Sequence, residues 1–251
     1  MRLTDYSTLT FDCYGTLIDW ETGIHKALQP WLARNGVGED VNALLEAFAR
    51  HESAQQAETP AMVYRELLAR VHKRLAAEWG VSCSDKEAEA FGLSIRDWPA
   101  FPDSAAALRY LKRHYKLVIL SNVDRESFSA SNARLGVEFD RIYTAQDIGS
   151  YKPDPRNFAY LIEHLVAEGV AKSDILHTAQ SIFHDHVQAS RAGLATCWID
   201  RRAGKKGLGA TMPPPVDVRI DFRFETLAAF VEAHEEECSS TPQTENGENQ
   251  G

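Results

Sequence analysis

A single carboxylate stands at the end of an apolar run near the start of the chain. Asp12 follows residues 8–11, Thr-Leu-Thr-Phe, and a Gly-Thr turn at Gly15 and Thr16 comes shortly after it. In an open parallel α/β sheet, ligands bind in the crevice outside the carboxyl ends of the strands. Asp12 is therefore placed where a substrate would bind, although an isolated Asp after a strand can also serve only as a helix N-cap.

Other polar residues follow later apolar runs, and in a parallel sheet these strand ends meet at the same crevice. They are Ser121 and Asn122, Lys152 in a loop, and the segment 180–185, which includes Gln180, His184 and Asp185. A positive charge is useful at this crevice, because a carboxylate and an anionic substrate about 4 Å apart repel by roughly 4 kcal/mol at an effective dielectric of 20. We expect Lys152 to offset the repulsion between Asp12 and an anionic substrate, and to hold the pKa of Asp12 down.

Two kinds of sequence pattern position these residues. Residues 21–98 show helical spacing only, whereas short apolar runs at 116–121, 141–145, 174–180 and 194–200 alternate with amphipathic stretches at 103–114, 125–135 and 155–168. Alternation of strand and helix predicts an α/β fold whose parallel sheet has helices on both faces. We predict a Rossmann-like core (residues 1–19 and 99–235) with an inserted all-helical unit (20–98). Residues 217–222 could add a strand, and the polar segment 236–251 is expected to be a disordered tail.

Composition narrows the class of protein. The chain has 251 residues, of which 44% are hydrophobic and 25% charged, as in ordinary soluble globular proteins. The net charge of −9 argues against nucleic acid as a partner. Four cysteines without paired spacing, and the lack of an apolar leader or a membrane-length run, favour a cytoplasmic protein that does not bind membranes. We expect a small anionic substrate, and a homodimer remains open.

Four segments carry a resemblance to a known family. Asp12-Cys-Tyr14-Gly-Thr resembles the first motif of the haloacid dehalogenase (HAD) superfamily, Ser121-Asn122 the second, Lys152-Pro the third, and Asp185 the acid of the fourth. The resemblance implies that Asp12 is a covalent nucleophile and that the helical insertion is a cap over the cleft. It further implies that Ser121, Asn122 and Lys152 bind an anionic group of the substrate.

Tyr14 favours one branch of the superfamily. Most phosphatases of the superfamily carry a second Asp at this position, which protonates the departing alcohol. A phenol with a reference pKa of about 10 is a poor donor for that step, whereas a halide leaves without a proton. Tyr14 would also make the substrate pocket more apolar. The chain therefore resembles the type II 2-haloacid dehalogenases, which implies attack on C2 of a short 2-haloacid, an aspartyl ester, and no metal or other cofactor.

The resemblance is partial in two places. Familiar dehalogenases carry Ser-x-Asn-x-x-Asp in the fourth motif, whereas Ile182 stands here in place of the amide implicated in ester hydrolysis. Gln180 or His184 would then have to supply the missing polar group. In the dehalogenases an arginine on a cap helix contacts the departing halide, and Arg50 is the nearest candidate in this chain.

Two alternatives stay open. One is a phosphatase of the same superfamily, in which Asp12, a backbone carbonyl and Asp185 hold Mg²⁺. The other is a non-catalytic binding protein that keeps the fold, an interpretation suggested by Ile182. Haloacids and phosphate esters, each assayed with Mg²⁺ and with chelator, would separate the three.

Overall fold

Six strands of one parallel sheet form the centre of the computed structural model, which describes residues 1–38 and 40–240. Their order across the sheet is β3-β2-β1-β4-β5-β6. The strands are β1 (Thr8–Phe11), β2 (Lys116–Ser121), β3 (Arg141–Thr144), β4 (Ile175–Ala179), β5 (Ala195–Ile199) and β6 (Phe222–Phe224). The predicted α/β fold is confirmed, and the sixth strand begins at the residue where the predicted one ends.

Both faces of the sheet are buried, as the apolar runs require. Successive side chains of a strand point to opposite faces. In β2, Leu117 and Ile119 accordingly join the larger apolar core, whereas Val118 and Leu120 pack into a second core that includes Phe158. A parallel sheet covered on both faces leaves only its strand ends open to a ligand.

Helices of the core follow the predicted alternation. They are α5 (Ser104–Leu111), α6 (Arg125–Leu135), α7 (Ala145–Ile148), α8 (Arg156–Ala167), α9 (Val187–Arg191) and α10 (Leu227–Ser239). In the tail predicted to be disordered, residues 236–239 are helical instead, because His234 is buried and Glu237 accepts a hydrogen bond from the Thr4 N–H at 3.0 Å. Residues 241–251 of that predicted tail lie outside the described residues.

The helical insertion lies between β1 and α5. Its helices are α1 (Trp20–Asn35), α2 (Val41–Glu58), α3 (Tyr64–Glu78) and α4 (Asp85–Leu93), followed by a 3-10 turn at Ser94–Asp97. Asp40 caps α2 by accepting hydrogen bonds from two backbone N–H groups, and Ser84 and Glu87 form a capping box on α4. Over the described residues, no helix is both long and apolar enough to cross a membrane.

One face of α2 matters for the site. Phe48, Glu52 and Gln56 follow each other at intervals of four residues, which places them on the same side of a helix. All three are buried. The helical insertion therefore presents two polar side chains, a carboxyl and an amide, on its inward face.

Candidate active site

A buried lysine joins the ends of β1, β2 and β4. The Lys152 side chain is only 1% exposed. Its Nζ donates to Asp12 Oδ1 at 2.9 Å, to Asp185 Oδ1 at 2.7 Å and to the Leu120 carbonyl at 2.9 Å. An ammonium has three N–H groups, so every donor of this lysine is used. The structure thus brings Lys152 together with Asp12, which lies 140 positions before it, and with Asp185, which lies 33 positions after it.

Asp12 is held from its other side by the turn that follows it. Thr16 Oγ1 donates to Asp12 Oδ2 at 2.8 Å and accepts from the Gln180 N–H at 2.9 Å. Gly15 makes this turn with φ of +93°, where a side chain would be strained, and a Cβ there would lie 3.0 Å from the Trp20 indole nitrogen. Both oxygens of the Asp12 carboxylate are therefore fixed before a substrate binds.

Asn122 positions the lysine. Its Nδ2 donates to the Lys152 carbonyl at 2.9 Å, and its Oδ1 accepts from the Lys152 N–H at 2.7 Å. An amide nitrogen carries two N–H groups, so one remains for a substrate. Beside it, the buried Ser121 hydroxyl has no hydrogen-bond partner in the described part of the chain.

His177 completes the network, and sequence reasoning missed it. Its Nε2 lies 3.0 Å from Asp185 Oδ1, and its Nδ1 lies 2.9 Å from the Thr10 hydroxyl. Because an ionised carboxylate only accepts hydrogen bonds, His177 Nε2 carries a proton and donates a hydrogen bond to Asp185. The signal was a histidine inside the apolar strand β4, since a buried polar group in a strand requires a partner.

Burial and charge oppose each other in the two acids. Burial raises the pKa of the Asp185 carboxyl, but Lys152 and His177 lower it more, so it lies well below its usual value. For Asp12, burial raises the pKa and outweighs the lowering by Lys152. The expectation that Lys152 would hold the pKa of Asp12 down is correct for the lysine's contribution and wrong for the net direction, because desolvation of the carboxylate is larger.

The lysine itself remains charged. Burial lowers the pKa of Lys152, but the two carboxylates raise it by more, and the net pKa lies above its ordinary value of 10.5. Two buried acids therefore share one buried cation. This arrangement makes the ionisation of Asp12 dependent on Lys152, since without the cation only the Thr16 hydrogen bond would still lower the pKa of this acid against burial and the charge of Asp185.

A cavity of about 30 Å³ opens over Asp12. The core contributes Lys152, Asn122 and His184 to its wall, and the helical insertion contributes Trp20, Glu52, Gln56 and Tyr64. Both parts of the fold thus enclose one small space, which limits a ligand to a few non-hydrogen atoms.

Tyr14 lines the same cavity as a wall, with its hydroxyl turned to α6. That hydroxyl donates to the Ser127 carbonyl at 3.3 Å and lies 2.7 Å from Ser131 Oγ. Burial raises the pKa of Tyr14 well above its ordinary value. The position where phosphatases of the superfamily keep an acid therefore provides no proton donor here.

The fourth motif contributes His184 to the cavity. Its Nδ1 lies 3.0 Å from Ser181 Oγ, and its buried Nε2 has no hydrogen-bond partner within the described ranges. Burial lowers the pKa of His184 to about 4, so the ring is neutral at pH 7. Ile182 lines a different cavity, next to Phe183 and Trp198.

Gln180 and Arg50 do not line the Asp12 cavity. The Gln180 side chain lies beside Gly15, and its backbone serves Thr16 and Trp198. Arg50 is 52% exposed and pairs with Glu78 at 2.8 Å. The prediction that Arg50 contacts the halide is wrong, because a residue two positions from the inward-facing Glu52 lies on the opposite side of the helix.

Most carboxylate oxygens that could bind Mg²⁺ at this site already accept hydrogen bonds from other residues. Mg²⁺ demands near-octahedral oxygen coordination. Asp12 and Asp185 each give Oδ1 to Lys152, and the unpaired oxygen of the pair is the buried Oδ2 of Asp185. Nowhere in residues 1–38 and 40–240 do three or more His, Cys, Asp or Glu side chains form a group that could hold a metal ion.

Comparison with known proteins gives a consistent result. A sequence model of the haloacid dehalogenase-like hydrolases matches residues 6–178. The chain is 27% identical over 207 residues to (S)-2-haloacid dehalogenase 4A of Burkholderia cepacia, and this match covers 76% of the chain and 82% of that protein.

Solved structures share the fold at lower identity. The L-2-haloacid dehalogenase of Xanthobacter autotrophicus is similar with a TM-score of 0.70 at 18% identity, covering 90% of this chain and 97% of that one. A HAD-hydrolase of Bacillus subtilis, YfnB, bound to magnesium, is similar with a TM-score of 0.74 at 17% identity, covering 94% and 100%. Because the fold matches both, fold alone does not choose a reaction.

Proposed function

Because the chain belongs to the haloacid dehalogenase-like hydrolases, we propose that it hydrolyses short 2-haloacids through an aspartyl ester on Asp12, without a metal. The observation that carries this proposal is the buried Lys152, whose Nζ lies 2.9 Å from Asp12 and 2.7 Å from Asp185. This fixed cation offsets the charge of an incoming carboxylate at the place where a phosphatase would use Mg²⁺.

In the first step, a carboxylate oxygen of Asp12 attacks C2 of the haloacid. The new C–O bond forms as the carbon–halogen bond breaks, and the halide leaves with the bonding electron pair. The Ser121 hydroxyl and the remaining N–H of Asn122 bind the substrate carboxylate, since both are donors still available beside Lys152. Lys152 supplies charge rather than a hydrogen bond, because its three N–H groups are already used.

In the second step, water attacks the carboxyl carbon of the Asp12 ester. His184 Nε2 is neutral, buried and without a partner in the described residues, so it accepts one proton of this water. The bond from the carboxyl carbon to the substrate oxygen then breaks, and that oxygen takes the proton from His184. A 2-hydroxy acid leaves, and the Asp12 carboxyl group releases the second proton of the water to solvent, which restores the carboxylate.

The reaction class is tested with haloacids and phosphate esters, each with Mg²⁺ and with chelator. We expect halide release that survives the chelator. Phosphate release that requires Mg²⁺ would assign the protein to the phosphatase alternative. The observation in favour of that alternative is the unpaired Oδ2 of Asp185, an oxygen that could bind the metal ion. Tight binding of haloacids without turnover of either class would indicate the non-catalytic alternative.

The covalent step is tested by a single turnover of excess enzyme in ¹⁸O-water. Water attacks the Asp12 carboxyl carbon, so we expect label on the peptide that contains Asp12 and an unlabelled product hydroxyl. Asp12→Asn is the matched control, because the neutral amide is a far weaker nucleophile. Label found directly in the product would make Asp12 a general base.

A further inference from the structure

A third acid lines the catalytic cavity beside Asp12 and Asp185, and it has no role in the dehalogenation steps described above. Glu52 lies on the inward face of α2 and is 2% exposed. It lines the same cavity as Asp12, Lys152 and His184. In the described part of the chain Glu52 has no ion-pair partner, and its hydrogen bond comes from the Tyr64 hydroxyl.

An ionised carboxylate at this place would oppose the reaction. The substrate is an anion, Asp12 is an anion, and a halide leaves as a third. Two unit charges about 4 Å apart repel by roughly 4 kcal/mol at an effective dielectric of 20, and Lys152 is already bonded to both core acids. The resemblance implied an arginine here to hold the halide. The structure instead turns Arg50 outward and places a carboxyl inward.

In this surrounding Glu52 keeps its proton to a higher pH than an ordinary glutamate does. Burial raises its pKa to about 7, the Tyr64 hydrogen bond lowers it less, and the charge of Asp12 adds to the rise. The Tyr64 phenol has a pKa well above its ordinary value, so it donates to Glu52 Oε1 and leaves Oε2 to carry the acid proton. The titratable and charged groups that face Glu52 are Tyr14, Tyr64, Tyr151, Asp12, Lys152, His184 and Asp185.

We propose that Glu52 is a catalytic acid of halide release, donating a hydrogen bond to the departing halogen, and that this donor makes the site selective for 2-fluoro acids over their heavier analogues. This inference rests on the proposed dehalogenation. Of the halides, fluoride accepts hydrogen bonds most strongly and is the poorest leaving group. A donor aimed at developing negative charge therefore accelerates its departure most. The small cavity suits the smallest halogen.

The step balances without a further reactant. An Asp12 oxygen forms its bond to C2, the C–F bond breaks, and fluoride departs with the electron pair while hydrogen-bonded to Glu52. The proton stays on Glu52, because fluoride is a weaker base than the glutamate carboxylate. Water then cleaves the ester as above, so the net products are a 2-hydroxy acid, fluoride and a proton.

The test compares release of fluoride from 2-fluoropropionate and of chloride from 2-chloropropionate. The variants are Glu52→Leu, Glu52→Gln, and Glu58→Gln as the control, which makes the same chemical change on the same helix at an exposed residue. We expect the wild-type protein to release fluoride at least as fast as chloride. Glu52→Leu should lower kcat/KM for the fluoro acid about 100-fold, and for the chloro acid at least ten times less.

The pH profile gives an independent readout that a merely structural role would not move. The rate of fluoride release by the wild-type protein should fall as pH rises through about 7. The Glu52→Gln variant should not show this decrease, because its amide donates a hydrogen bond at every pH. Equal losses for both substrates, or the same decrease in Glu52→Gln, would overturn the inference and leave dehalogenation standing. Release of neither halide would overturn the proposed function, and the inference with it.

Discussion

Glu52 should make the free energy of unfolding depend on pH, and the substitution Glu52→Gln should remove this dependence. Burial raises the pKa of this carboxyl to about 7 from its ordinary value of 4.5. The folded protein therefore binds this proton more tightly than the unfolded chain does. The contribution to stability is fully present below pH 4.5, declines as pH rises toward 7, and is lost above that value.

The size of the effect follows from the shift. One pKa unit corresponds to 1.36 kcal/mol, so a rise from 4.5 to about 7 is worth about 3 kcal/mol, most of it between pH 5 and 8. Because Glu52 is 2% exposed, solvent screening does not reduce this much. In Glu52→Gln the side chain no longer titrates, and this part of the pH dependence should vanish.

Urea unfolding at pH 5 and at pH 8 measures the difference. We expect the free energy of unfolding of the wild-type protein, relative to that of Glu52→Gln, to be about 2–3 kcal/mol larger at pH 5 than at pH 8, so that the wild-type protein is relatively more stable at pH 5. Glu58→Gln is the control, because Glu58 is exposed and should show no such difference. Equal wild-type and Glu52→Gln pH dependence would refute the reasoning, since Glu52 would then titrate as in the unfolded chain.

Three further substitutions test the site. Lys152→Met should destabilise the fold by about 3–5 kcal/mol in urea unfolding, because it removes the cation that two buried carboxylates share, and should abolish halide release at pH 7; full activity would contradict the charge argument. His184→Gln should slow ester hydrolysis, so that mass spectrometry detects Asp12 carrying the substrate's mass, and no accumulation would remove His184 from that step. Arg50→Ala should keep kcat/KM within about twofold of wild type, because this exposed side chain pairs with Glu78; a large rise in KM would show that it reaches the substrate.

The clustering of the site residues at the strand ends was predictable from the sequence, because the carboxyl ends of parallel strands all lie at the same edge of the sheet. The predicted run 116–121 has the bounds of β2, and the stretch 125–135 has those of α6. Once β1, β2 and β4 are neighbours, Asp12, Ser121 and the segment before Asp185 must share one edge.

What the sequence did not predict depends on distances through space. His177 sits in a run that was interpreted only as a strand, and its partner Asp185 is reached because the turn after β4 folds back. Glu52 follows Phe48 at helical spacing, so its inward position could be predicted from the sequence. The family resemblance instead indicated an arginine, and Arg50 lies on the outer face of the helix. The net direction of the Asp12 pKa needed the burial of the carboxylate, which no motif contains.

Burial shifts the pKa values of Glu52 and His184 in opposite directions, so one group is suited to donate a hydrogen bond and the other to accept a proton. It disfavours the charged form of either group, so it raises the pKa of the acid to about 7 and lowers that of the base to about 4. Between these values Glu52 holds its proton and His184 holds none. The donor is on the helical insertion and the acceptor is on the core, with Asp12 in the cavity they share. The two-step reaction proposed above would use this pairing, since a hydrogen-bond donor assists the departure of fluoride and attack by water calls for a proton acceptor.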